Sequence, residues 1–184
     1  MPSLRIVFSG LLLSAATVQT ASAQDFWSYK DWNVSVERVQ SEEDDYQQCV
    51  IFTGGDGLPT VSAEFFSGDA GPPYSYPEVK VTERAIRGYA TVMANGDPIS
   101  FTFDDGSVIR GAAEAVFDED GFAVAFGRLA QQDNLLALQA MRGNADVTVS
   151  GPGYEVITAS LSGFSAAYLK MAEVCGFSTE GVLD

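Results

Sequence analysis

The chain contains no histidine. Imidazole is the commonest general base at neutral pH and the commonest metal ligand, so serine–histidine and cysteine–histidine catalysis and histidine-based zinc sites are excluded. Basic residues are scarce too: ten Lys and Arg stand against 25 Asp and Glu, for a net charge of −15. A surface of that sign repels nucleic-acid phosphates and anionic headgroups, so neither partner class is expected. After residue 23 no segment is apolar enough to cross a bilayer, which takes roughly 20 apolar residues. Cysteine is limited to Cys49 and Cys175. They are not in C-x-x-C spacing and, without histidine, form neither a metal site nor a redox-active pair.

What is present begins with an export signal. Arg5 supplies one positive charge, Ile6 to Val18 is mostly apolar, and Ala21-Ser22-Ala23 is a small-x-small cleavage pattern. These three parts in this order mark residues 1–23 as a cleavable signal peptide, too short in its apolar core for a membrane anchor. The mature chain then starts at about Gln24 and is one unit more negative than the whole, because Arg5 is the leader's only charged residue. Its length suits a single domain with a real core, here residues 24–177, followed by a flexible tail over 178–184. Periplasmic or secreted localisation follows. In that compartment an even cysteine count suggests a Cys49–Cys175 disulfide. Two buried free thiols or an intermolecular bridge are the alternatives.

The mature chain has the pattern of many short strands separated by turn signals, expected of a mainly β, antiparallel β sandwich. Trp32-Asn-Val34-Ser-Val36-Glu alternates apolar and polar residues. Tyr46–Thr53, Leu58–Phe66, Glu78–Val81, Ala85–Ala94, Pro98–Phe103, Ser107–Arg110, Ala112–Phe117 and Phe122–Phe126 are predicted strands. They are punctuated by Gly54-Gly55-Asp56-Gly57, Asn95-Gly96-Asp97, Asp104-Asp105-Gly106 and the 118–121 turn, whose glycines tolerate positive φ. Residues 67–77 hold three prolines and form a loop, since proline cannot donate to a ladder. The period then changes. Leu135, Leu138 and Met141 predict a mid-chain helix with Asp133 as N-cap and Gly143 as C-cap. Val147–Val149 and Tyr154–Ser160 form a last hairpin. Phe164, Tyr168, Met171 and Cys175 share one face of a C-terminal helix ended by Gly176, which turns Cys175 toward the core and the strand carrying Cys49.

Two segments carry a family resemblance. Lys30-Asp-Trp32-Asn-Val34-Ser-Val36 precedes Cys49-Val-Ile, and Val156-Ile-Thr-Ala-Ser-Leu161-Ser-Gly163-Phe164-Ser-Ala166-Ala167 closes the domain. The element order over most of 30–170 resembles the invasion-associated locus B family of exported bacterial proteins. Val36 stands where that family has its first cysteine, the family's mid-chain cysteine pair is missing, and Cys175 lies beyond its Gly-Phe segment. The resemblance implies a divergent member, a fold and an exported location, and it supplies no mechanism.

No catalytic, cofactor or metal residues emerge. Asp118-Glu119-Asp120-Gly121 could open a calcium loop, but position 12 of that loop is Leu129 rather than the required Glu. A strand-connecting turn is the better reading, with Asp104 and Asp105 as further surface candidates. Glu42-Glu43-Asp44-Asp45 is a solvated loop first and a cation site second. Among aromatics, Trp32 is core, Phe26 and Trp27 either cover a sheet edge or form a contact patch, and Tyr74 and Tyr76 are the candidate exposed contacts. The expectation is an exported, non-enzymatic protein without cofactors, whose partner is an unknown protein or envelope component. The alternatives are a carboxylate- or calcium-dependent hydrolase and a small-ligand carrier.

Overall fold

A computed structural model describes residues 24–40, 45–54 and 59–184. The predicted leader, the acidic residues 42–44 and the turn residues 55–57 lie outside these. The strands are β1 (Gln24–Tyr29), β2 (Trp32–Gln40), β3 (Asp45–Thr53), β4 (Thr60–Phe66), β5 (Glu78–Arg84), β6 (Pro98–Phe103), β7 (Val108–Phe117), β8 (Ala123–Leu129), β9 (Asp146–Gly151) and β10 (Tyr154–Ser160). Helix α1 (Asn134–Gly143) separates β8 from β9, and α2 (Phe164–Cys175) follows β10.

All ten strands join in one antiparallel sheet, ordered β1-β2-β3-β4-β5-β8-β7-β6-β9-β10. Period-two alternation decides which face each strand buries. In β2 these are Trp32, Val34 and Val36, and in β6 Ile99, Phe101 and Phe103. These strands lie in opposite halves of the sheet, yet their buried residues belong to one core. The sheet therefore bends over on itself, sandwich-like. The Trp32 indole N–H donates to the Ser160 carbonyl at 3.0 Å, and the Asp31 amide donates to the Ser162 carbonyl at 3.2 Å. The first hairpin and the end of β10 thus meet.

Both helices contribute one face to this core. Phe164 of α2 lies edge-on to Trp32 with ring centroids 5.1 Å apart. At the other end of α2 the Cys49–Cys175 disulfide ties the helix to β3, with Cα atoms 6.5 Å apart. The mainly β antiparallel architecture with a mid-chain and a C-terminal helix is as expected from the sequence. Gly163 precedes α2 with φ of 102°, and a Cβ there would sit 1.9 Å from the Tyr29 carbonyl oxygen. Only glycine allows the β10–α2 corner to approach the first hairpin this closely.

Several expectations are corrected. Residues 24–29 form an edge strand that the sequence did not signal. Ser107–Arg110 and Ala112–Phe117 are not two strands but parts of the single β7. A Cβ at the intervening Gly111 would meet the Arg128 carbonyl at 2.1 Å, so this glycine serves close strand approach rather than a turn. Ala85–Ala94 is a loop. Gly88 adopts a φ of 87°, and the Glu83 carboxylate accepts hydrogen bonds from the Val92 and Met93 amides, replacing ladder bonds with a side-chain anchor. Asp133 stands before α1 but makes no side-chain cap bond. Gly143 is the last residue of α1, and Asn144 caps it by donating its amide to the Ala140 carbonyl. The tail beyond Phe177 is docked. Val182 is fully buried, and Arg142 donates to the carbonyls of Val182 and Asp184.

Candidate functional site

A cleft of about 300 Å³ opens where β4 ends and β5 begins, beneath the proline-rich loop 67–77. Its apolar wall is Phe65, Phe66, Tyr76 and Leu129. Its polar wall is Glu64, Asp69 and Glu78 with Ser75, Gln131 and Asn134. The loop is held from several sides. The Ser67 amide donates to the Gln47 carbonyl at 2.9 Å, and the Gln47 amide donates to Ser67 Oγ at 2.7 Å. Pro72 and Pro77 are buried. A Cβ on Gly71 would lie 2.9 Å from the Cβ of Phe177, whose ring stacks on Phe65 at 4.3 Å. A Cβ on Gly181 of the docked tail would lie 2.8 Å from the Tyr76 hydroxyl. From α1, Asn134 Oδ1 accepts the Val79 amide at 3.0 Å and completes the bonding at the start of β5. The walls are thus preorganised by the disulfide-tethered end of α2, the tail and α1.

The electrostatics of this cleft are uneven. Glu64 is buried on the face of β4 that points away from the core, accepts hydrogen bonds from Gln48 and Lys80, and forms an ion pair with Lys80. Glu78 lies 3.7 Å from Lys80 and 3.6 Å from Arg128. Asp69 has no ion-pair partner among the described residues. Two of the three carboxylates are therefore engaged by basic side chains. Among the described residues no cluster of His, Cys, Asp and Glu has a geometry that could hold a metal ion.

The sequence-selected aromatics separate. Tyr74 is 89% exposed on the outer rim of the loop, while Tyr76 turns inward and packs on the core. Phe26 and Trp27 lie far along the sheet order, on edge strand β1. Phe26 is 55% exposed and its ring lies 6.3 Å from that of Phe52. Trp27 faces α2, with the Lys170 ammonium 4.8 Å from its ring centroid. Of the two readings for this pair, edge covering describes Trp27 and partial exposure describes Phe26.

The opposite end of β5 carries an apolar surface that sequence reasoning missed. Ala85 and Phe117 flank Ala123 of β8 from either side. Here Phe117 is 78% exposed, and on the loop that follows Ala85, Ile86 is 79% and Tyr89 72% exposed. Phe122, beside them, lies against Arg84 and Arg87, 4.5 and 4.6 Å from its centroid. Residues 85–94 look like a strand by composition, which hid the exposure of Ile86 and Tyr89. The 118–121 turn beside this surface is built from within. Asp118 accepts the Asp120 and Phe122 amides and pairs with Arg84. That carboxylate holds the turn together. Asp104 and Asp105 likewise join the β6–β7 turn to the Asn144–Ala145 segment after α1.

With this geometry described, comparison with known proteins finds no matching family model, no matching characterised protein and no matching solved structure.

Proposed function

We propose that this is an exported, non-enzymatic binding protein of the bacterial envelope, a divergent relative of the invasion-associated locus B family, acting in the periplasm or outside the cell. The observation that carries the reading is the exposure of Ile86 and Tyr89 on the 85–94 loop and of Phe117 at the neighbouring end of β7, in an otherwise strongly acidic chain. Contiguous exposed apolar residues rimmed by charge are characteristic of protein interaction sites. The long-range disulfide supports an oxidising compartment. Engagement of Glu64, Glu78 and Asp118 in ion pairs and turn bonds weighs against the hydrolase alternative.

The test is capture of partners from envelope extract by the mature chain, beside the Ile86→Ser/Phe117→Ser variant. The expected result is a partner retained by the native protein and lost from the variant, with unfolding midpoints alike. Equal retention by both proteins would remove this surface as the contact.

A further inference from the structure

We propose that the cleft beneath loop 67–77 binds a small organic ammonium compound, a ligand distinct from any macromolecule held at the Ile86–Phe117 surface. Three observations combine. The cleft has a volume of about 300 Å³, the lower end of the range in which small molecules are held. It carries three carboxylates, and none of the residues lining it is basic. Its remaining surface includes the rings of Phe66 and Tyr76, and Phe66 is 37% exposed and reachable.

The chemistry narrows the ligand class. Lys80 of β5 and Arg128 of β8 pair with Glu64 and Glu78 but do not line the cleft, so two of its carboxylates are countered from outside it. Asp69 keeps an unpaired charge at the mouth. An anion would meet that charge together with the field of the whole chain, and is rejected. A purely apolar molecule would desolvate the carboxylates without pairing them. An ammonium group satisfies both walls: its N–H donors or positive charge meet Asp69 in a charge-assisted contact, and the cation and its adjoining methylenes lie against the aromatic rings. The anchoring of the loop by Ser67, Gly71, Phe177 and the tail means that little ordering remains to be done on binding.

The test is isothermal titration calorimetry of the mature protein, in separate titrations with spermidine, choline and calcium chloride. Saturable binding of spermidine or choline at one site is expected, the two arms separating primary from quaternary ammonium. Asp69→Asn, an exposed change that leaves the fold's anchors intact, is expected to weaken that binding about tenfold or more. Asp120→Asn, on the remote 118–121 turn, is expected to leave it unchanged. The proposal is overturned if neither organic cation binds saturably, if calcium alone does, or if the two variants lose affinity equally, which marks diffuse attraction to an acidic surface. Capture of a macromolecular partner at the other surface is unaffected by any of these outcomes.

Discussion

Trp32 joins the first and last thirds of the chain through one side chain. Its ring is completely buried against Phe164, and its indole N–H donates to the Ser160 carbonyl. Trp32→Phe keeps an aromatic ring in place but leaves that carbonyl without its donor. The expected loss is about 1–3 kcal/mol, against about 3–5 for Trp32→Ala, where the cavity adds to the lost bond. Urea midpoints of the two variants check the order. The core role of Trp32 was legible because it opens an alternating run. The role of Asn134 was not. Asn134 takes the Val79 amide across a gap of 55 residues, and no local pattern reports such a bond. The same holds for Glu64, which reads in sequence as one acidic residue in an apolar strand. Its burial is made possible by Lys80 and Gln48, which arrive from the two neighbouring strands.

At the level of elements, α2 was legible in full, and 85–94 misled. Phe164, Tyr168, Met171 and Cys175 of α2 recur at helical spacing and all face the core. The apolar residues of 85–94 have no partner strand, because β5 pairs directly with β8 and leaves the loop outside. The disulfide makes α2 depend on the sheet. It closes a separation of 126 residues, worth about 4–5 kcal/mol as an upper figure on the chain-entropy model. Cys49→Ala/Cys175→Ala is expected to unfold at a clearly lower denaturant midpoint, with the oxidised native protein losing the same increment when dithiothreitol is added. An unchanged midpoint in both would show the bond to be absent or without effect. Because Phe177 follows directly on α2 and braces loop 67–77, reduction is also expected to loosen the cleft before the rest of the sheet.

Over the whole molecule, stability toward acid reflects contacts between distant segments. Asp97 accepts hydrogen bonds from the Tyr154 hydroxyl at 2.7 Å and from the Ala94 amide at 3.0 Å, linking the β5–β6 loop to β10. These bonds, the tyrosine's first, hold its carboxyl below the ordinary value of 3.8. A lowered folded pKa gives stability that is complete above the unfolded value and is lost as pH falls through the folded one. The contribution is therefore full above about pH 4 and disappears below it. Asp97→Asn is expected to flatten the acid limb of a plot of unfolding temperature against pH below about 4, while changing its slope near neutrality little. At the alkaline end the partner behaves in the opposite sense. Burial and the Asp97 carboxylate raise the Tyr154 hydroxyl above its ordinary value of 10, so its share is complete below pH 10 and fades as pH rises further.

The divisions between local and long-range information follow from these particulars. Charge, the absence of imidazole chemistry, the β class and the two helices are carried by composition and by periods of two and 3.6, properties of short windows that need no partner. Strand order, the cleft and the exposed apolar surface depend on which windows meet. The pairings of β5 with β8 and β6 with β9 skip intervening elements, and burial of a residue such as Val182, or exposure of one such as Ile86, is set by what arrives opposite it. Hydrophobicity states that a side chain gains by burial, but only the folded sheet supplies the surface that buries it.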